Sequence, residues 1–400
     1  MRAFFAPLAL AIVATQADAR ARDLGIPFEG TPGPLNAITD VGGVEVGHKT
    51  LIKGEGPLKV GTGPVRTGVT IILPRGRADA RAVYGGSFTL NGNGEMTGRA
   101  YLEDFGIVQG PIGLSDTNAL GQVYAGIQQW TSKRLGSATW PLVAETWSGY
   151  LNDIEGFHVA AETATAAIDS AKPGPVEEGN VGGGTGMVCF GFKGGIGTAS
   201  RIVSIGGKSY TVGVLTQCNT GDRKVLRIAG APVGKFLARR WLPCLDPTLA
   251  PKADNLPACT SDGSRGAVPP DQGSIIIVVG TDAPLMPVQL DRMAKRAALG
   301  LARLGSYSGN SSGDLIVSFS TATPDVNHPE QSKPSPIASL ANSGIDPIFE
   351  ATAQATEEAI INALIAARTM TGVNGRRYFA LPHGELRAIL KSYNRLEEQK

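Results

Sequence analysis

Gly273-Ser274-Ile275-Ile276-Ile277-Val278-Val279 is the stretch on which the reading of this chain turns. Residues 275–279 are all apolar and β-branched, the composition of a strand buried on both faces. Upstream, residues 243–272 are polar and Pro-rich and read as an exposed loop. A small nucleophile therefore sits where a cleavable segment meets the edge of a core sheet. Backbone cleavage before Ser274 would leave its hydroxyl beside a new α-amine. Such an amine titrates near pH ~8 and can serve as a local base. An ordinary strand-entry serine has the same local sequence, so this step alone does not decide between the two.

Working outward, residues 288–304 have helical spacing, with Leu290, Met293, Ala297 and Leu301 on one face. Residues 314–320 read as a strand, 348–370 as a long helix and 385–398 as a charged amphipathic helix. On the other side, 44–48, 68–73 and 210–215 read as strands, and 118–132 and 159–171 as helices. Residues 228–241 read as a helix or a partly ordered arm. The segment 85–98 is rich in Gly and Asn, and Gly-rich turns fall at 179–186 and 191–197. Strands and helices come in groups rather than βαβ repeats, which predicts a layered α+β fold with helices covering a two-sheet core. The 53 glycines fit many tight turns and close backbone approaches.

The chain opens with a basic Met1-Arg2, an apolar stretch over 3–14 and a small-x-small step, Ala17-Asp18-Ala19. This pattern predicts a leader, residues 1–19, cleaved after Ala19 for export to a bacterial periplasm. An uncleaved N-terminal anchor is the competing reading, although the apolar run is too short to span a bilayer. Net charge is +2 with both signs interspersed, and no basic tract interleaves with aromatics, so nucleic acid is not an expected partner. No second long apolar run follows, so no membrane span is expected. Cys244 and Cys259 lie in the Pro-rich stretch and read as a disulfide in an oxidising compartment. Cys189 and Cys218 sit in apolar strand-like contexts and read as buried free thiols. His48, His158, His328 and His383 are scattered without ligand spacing, so no metal site is expected.

Several motifs carry two readings each. Gly182-Gly183-Gly184-Thr185-Gly186 lacks the Lys-Ser/Thr of a phosphate loop and reads as close backbone packing. Gly309-Asn310-Ser311-Ser312-Gly313 fits the nucleophile-elbow pattern, but a helix precedes it and a strand follows, the reverse of what the elbow needs. Ser312 and Asp314 either serve a site at a strand entry or form a polar turn. Asn219, at a strand end, is either an amide donor to an oxyanion or a turn residue. Glu145, amid apolar neighbours, is either a solvent-facing helix residue or a buried carboxylate for a substrate ammonium.

Together these stretches resemble the self-processing serine aminopeptidases, the family of L-aminopeptidase/D-Ala-esterase-amidase and the β-peptidyl aminopeptidases. The resemblance runs through colinear blocks. Leu35-Asn36-Ala37-Ile38-Thr39-Asp40-Val41-Gly42-Gly43 begins it, and Glu178-Gly179-Asn180-Val181-Gly182-Gly183-Gly184-Thr185-Gly186 follows. Thr281-Asp282-Ala283-Pro284-Leu285-Met286-Pro287 and Gln354-Ala355-Thr356-Glu357-Glu358-Ala359 complete it.

The resemblance implies a four-layer αββα sandwich of the Ntn-hydrolase type, cut into an α chain (20–273) and a β chain (274–400) of one domain. It implies autocleavage between Gly273 and Ser274, with Ser274 then the nucleophile. Asn219 is implied as the oxyanion residue, Ser312 and Asp314 as its assistants, and Glu145 as the carboxylate for the substrate's amino group. Trp147 stands where some members carry a Tyr, and Asp314 where some carry a Glu. The implied partners are a small peptide or amide substrate and the enzyme's own two chains, a heterodimer assembling further into a tetramer of heterodimers. No cofactor is implied. The exported members resemble the β-peptidyl branch, so a β-peptidyl aminopeptidase is expected. The alternatives are an L-aminopeptidase/D-amidase/D-esterase, a Thr-dependent acyltransferase of similar plan, and a non-catalytic periplasmic binding protein. Ser274 in place of Thr speaks against the acyltransferase.

Overall fold

The computed structural model describes residues 19–79, 81–249, 256–260, 273–322 and 337–397. The expected leader, but for Ala19, and most of the loop before Gly273 lie outside these residues. The strands of the first half are β1 (Glu45–Lys53), β2 (Val65–Leu73), β3 (Val83–Gly92), β4 (Ile107–Val108), β5 (Ile112–Asp116) and β6 (Leu142–Thr146). A short hairpin follows, β7 (Val188–Cys189) and β8 (Phe192–Lys193), then the long strands β9 (Gly195–Ile205) and β10 (Lys208–Asn219). The last are β11 (Cys244–Leu245), β12 (Ser274–Thr281), β13 (Gly313–Ser320), β14 (Met370–Thr371) and β15 (Arg376–Tyr378). The helices are α1 (Arg99–Phe105), α2 (Leu120–Leu135), α3 (Ala161–Asp169), α4 (Val233–Phe236), α5 (Pro287–Arg303), α6 (Asp346–Ala366) and α7 (His383–Ser392).

Two sheets form the centre. One runs β1-β2-β5-β6 and the other β4-β3-β13-β12-β10-β9. The alternation along β12 shows why they stack. Ile276 and Val278 face Ile72, Leu114 and Leu142 of the first sheet, while Ile275, Ile277 and Val279 face Leu290, Met293 and Leu301 of α5. On the first sheet, Val69, Ile71 and Val143 turn outward onto Val123 and Ile127 of α2 and Ala164 and Ile168 of α3. The order is helices, sheet, sheet, helices, with α5 and α6 on the far side. This is the αββα sandwich expected from the sequence.

Two expected segments differ from the structure. The segment 228–241 holds only the four residues of α4, because Gly230-Ala231-Pro232 interrupts it and Trp241 is left-handed (φ 56°). The last helix ends at Ser392, and Asn394 is left-handed there (φ 55°). The Gly/Asn-rich segment after residue 85 is largely strand. Gly86 of β3 lies against Asp291 of α5, with room for no side chain: a Cβ would come within 2.4 Å of the Asp291 nitrogen.

Candidate active site

The site lies where β12, β10 and β13 end beside β6. Ser274 is the first residue of β12 and Asn219 the last of β10, and the antiparallel register sets them opposite one another. β13 runs parallel to β12 on its other side, with Asp314 beside Ile275. Its first residue donates across the gap: the Gly313 N–H meets Ser274 Oγ at 3.1 Å. Ser312 Oγ donates to Asp314 Oδ1 at 2.6 Å and lies 3.2 Å from Thr220 Oγ1. Ser312 and Asp314 are wholly buried, and Ser274 is 6% exposed. The turn before β13 is held from β3 and the loop after it. Asn91 donates to the Gly309 and Ser312 carbonyls, and Asn93 to that of Ser311.

Gly273 has no room for a side chain, since a Cβ there would come within 1.8 Å of the Asn219 oxygen. The residue before Ser274 is thus fixed as glycine by packing against the strand end that carries Asn219. Asn219 is itself clamped. Its Oδ1 accepts from the Val188 N–H at 2.7 Å, and its Nδ2 donates to the Trp147 carbonyl at 2.9 Å.

Glu145 stands on β6, one residue before the strand ends. It is buried, which removes the solvent-facing helix reading. Oε1 accepts from the Glu95 N–H at 3.0 Å, and the Thr117 hydroxyl donates to Oε2. Burial pushes its carboxyl above the ordinary range, while those two hydrogen bonds pull it back down. Behind it, Asp116 is pushed up to about 6 by burial, against the bonds from the Thr67 hydroxyl and the backbone of Ala119 and Asn118. A cleft of about 550 Å³ joins these groups, lined among others by Gly94, Thr117, Glu145, Trp147, Ser274 and Ser311. Trp147 is 39% exposed, its indole edge-on to Tyr150.

The structure therefore brings Ser274, Glu145 and Trp147 into one cleft, with Asn219, Ser312 and Asp314 packed around the serine. Chemically, it places a hydroxyl within reach of a bound carbonyl, with an amide beside it. It also sets a carboxylate across the cleft, where a cation would restore the charge balance that burial disfavours. Thr117, Glu95, Thr220 and the Gly313 N–H were not found by sequence reasoning. Thr117 and Glu95 reach the site from other segments, while Thr220 and Gly313 adjoin Asn219 and Ser312 but carry no side-chain type that marks a role. Among the described residues no group of His, Cys, Asp and Glu is arranged to hold a metal ion.

The glycine run 182–186 is buried packing. Cβ atoms at Gly182, Gly183 and Gly184 would collide with Thr70 Oγ1, Gln217 Oε1 and the Ile196 nitrogen. One expectation fails: Cys189 and Cys218 are not free but form a disulfide, with Cα atoms 5.5 Å apart. The β7–β8 hairpin folds Cys189 onto the end of β10, and Gly194 between them carries no side chain that would hold them apart. A Cβ there would lie 2.5 Å from both Cys189 Cβ and the Cys218 oxygen. Two strands far apart in sequence become neighbours, which local hydrophobicity cannot reveal. Cys244–Cys259 is a disulfide, as expected.

An αββα sandwich with a serine opening a central strand, facing a cleft with a buried carboxylate, places the protein in the Ntn-hydrolase fold class. The chain belongs to peptidase family S58, whose model matches residues 36–378. It is 52% identical, over 100% of its own length and 98% of the relative's, to "Beta-peptidyl aminopeptidase BapA" of Sphingosinicella microcystinivorans. Two solved structures align over 94% of the chain. One is the L-aminopeptidase D-Ala-esterase/amidase of Ochrobactrum anthropi, described as a variant of the Ntn-hydrolase fold (42% identity, TM-score 0.80, 99% of that chain). The other is a Burkholderia sp. beta-aminopeptidase (39% identity, TM-score 0.79, 99% of that chain). The protein is a serine aminopeptidase, and its substrates are peptides.

Proposed function

We propose that this aminopeptidase is a β-peptidyl aminopeptidase that cuts itself between Gly273 and Ser274 and then uses Ser274 as its nucleophile. One observation carries the reading: Ser274, at the first position of a central strand, shares a cleft with Glu145. The Ser274 hydroxyl attacks the first carbonyl of the substrate, giving an acyl-enzyme and releasing the shortened peptide or amine. Its proton passes to the α-amine freed by self-cleavage, with Ser312 and Asp314 orienting the hydroxyl system. Asn219 donates its remaining Nδ2–H to the tetrahedral oxyanion; one such donor contributes about 3–4 kcal/mol. Glu145 holds the substrate ammonium, and Trp147 walls that subsite. Water then releases the amino acid.

The 52% identity to a protein named for β-peptidyl substrates supports the β preference. The second reading, small α-amino acid amides and esters, draws on the 42% identity to the Ochrobactrum enzyme. A cut at residue 273 would leave the two chains, 20–273 and 274–400, interlocked. β10 pairs β12 across the junction, β11 pairs β15, and Arg22 binds Glu358 at 2.8 Å. Such heterodimers would assemble further, into a tetramer of heterodimers. Two disulfides fit an oxidising periplasm. Arg20, the first residue of the mature chain on this reading, sets its guanidinium 2.8 Å from Glu178.

The test is intact mass with N-terminal sequencing of the purified protein, beside Ser274→Ala. Two fragments, the second starting at Ser274, are expected for the wild type, and one uncut chain for Ser274→Ala. A wild-type chain that stays whole would sink the reading. Turnover of a β-alanyl amide against an alanyl amide separates the two substrate classes.

A further inference from the structure

Lys193, on β8, is fully buried. Its Nζ donates to the carbonyls of Met187 and Gly194 at 2.8 Å each and of Gly184 at 3.3 Å. Three carbonyls match the three N–H donors of an ammonium. Among the described residues no carboxylate pairs with it. Burial alone pushes its pKa well below the usual lysine range. A methionine would fill the same channel without a charge to desolvate, but would remove the donor that these three carbonyls share.

The Met187 carbonyl belongs to the same peptide unit as the Val188 N–H. That N–H donates to Asn219 Oδ1 at 2.7 Å. The Gly194 N–H binds the Met187 oxygen as well, at 2.9 Å. The peptide plane is thus held from its carbonyl side by Lys193 and Gly194, and its other side sets the Asn219 amide. A flipped amide would turn Oδ1 to the Trp147 carbonyl and Nδ2 to the Val188 N–H, both repulsive. In the present orientation one Nδ2–H is taken by the Trp147 carbonyl, which leaves the second for a ligand, and the strand register sets Asn219 opposite Ser274. The Cys189–Cys218 disulfide closes the same arrangement, since Cys189 follows Val188 and Cys218 precedes Asn219.

We propose that Lys193 is a positioning residue for the reaction: through the Met187–Val188 peptide it holds the Asn219 amide in the orientation that donates to the oxyanion. The proposal rests on the reading of Asn219 given above. Lys193 acts before substrate arrives and touches none of it, so its loss alters turnover and leaves substrate binding alone.

The experiment is a double-mutant cycle on the processed enzyme, with a chromogenic β-alanyl anilide as substrate. The variants are Lys193→Met, Asn219→Ala and both together, with the cleaved fraction measured by mass and folding by circular dichroism. Asn219→Ala is expected to lower kcat about 10²–10³-fold. Lys193→Met is expected to lower it up to about 10²-fold, with KM within about twofold, as misplacement of a catalytic group does. The double variant is expected to lose no more than Asn219→Ala alone. Multiplicative losses, or a raised KM with unchanged kcat, overturn the proposal and leave Asn219's role intact. An unchanged kcat in Asn219→Ala overturns that role and the proposal with it. Should Lys193→Met not fold, Lys193→Gln takes its place. Its shorter amide cannot serve all three carbonyls, so a lowered kcat that merges with the Asn219→Ala loss supports the proposal. A wild-type kcat, or a loss that multiplies with it, overturns the proposal.

Discussion

Replacing Glu145 by glutamine tests the substrate subsite without disturbing its shape. Glutamine keeps an acceptor for the Thr117 hydroxyl or the Glu95 N–H, both of which hold the present carboxylate. What it removes is the charge that would meet a substrate ammonium. A hydrogen bond to a charged group is worth about 1.5–3 kcal/mol, so kcat/KM for substrates with a free amino terminus falls roughly 10- to 150-fold. If the ammonium is held equally in ground and transition states, the loss appears in KM and kcat stays put. The pH profile adds a sign. Burial raises the Glu145 pKa, and only its charged form binds the ammonium, so wild-type kcat/KM falls as pH drops through that raised value. Glu145→Gln loses this acidic limb. The assay is kcat/KM across pH for a β-alanyl amide and its N-acetylated form. The reasoning fails if the variant keeps wild-type kcat/KM on the free amine, or if the N-acetylated substrate is turned over as fast as the free one.

Gly273→Ala is expected to block or greatly slow self-cleavage, because its Cβ would come within 1.8 Å of the Asn219 oxygen; the uncut fraction on a denaturing gel reads this directly. Asp116 carries a folded-state pKa raised from 3.8 to about 6 by burial. Its unfolded form releases the proton first, so its contribution to stability, roughly 2–3 kcal/mol, is present below about pH 4 and is lost as pH rises towards about 6. Denaturant melts at stepped pH should show that downward slope in the wild type and a flatter one in Asp116→Ala. Removing the Cys189–Cys218 bridge, which closes a separation of 29 residues, should cost about 3–4 kcal/mol of stability by the chain-entropy estimate. A melting temperature unchanged in the Cys189→Ala/Cys218→Ala pair would contradict that.

The sandwich was legible because its central strands write their layering into the sequence. Each residue of 275–279 is apolar, so neither face of β12 can be wet, and such a strand demands cover on both sides. Helix α5 announces itself in the same way, through its Leu290, Met293 and Leu301 stripe. What escaped was everything decided between elements. Glu145 has the same neighbours in sequence whether it ends a buried strand or faces water on a helix. Its state follows from β5 pairing alongside, which sets Ser115 against it, and from the loop that brings the Glu95 N–H to its carboxylate. The cysteines divide along the same line. Cys244 and Cys259 lie close enough in the chain for proximity to suggest a bond, whereas Cys189 and Cys218 meet only because a two-residue-stranded hairpin folds back against the end of β10. Lys193 makes the point most sharply. It falls in the segment 191–197, read only as a Gly-rich turn, yet it lies inside the molecule on three carbonyls. Residue type and spacing encode a nucleophile at a strand entry. The groups that orient that site come from backbone atoms whose partners only the assembled sheets bring together.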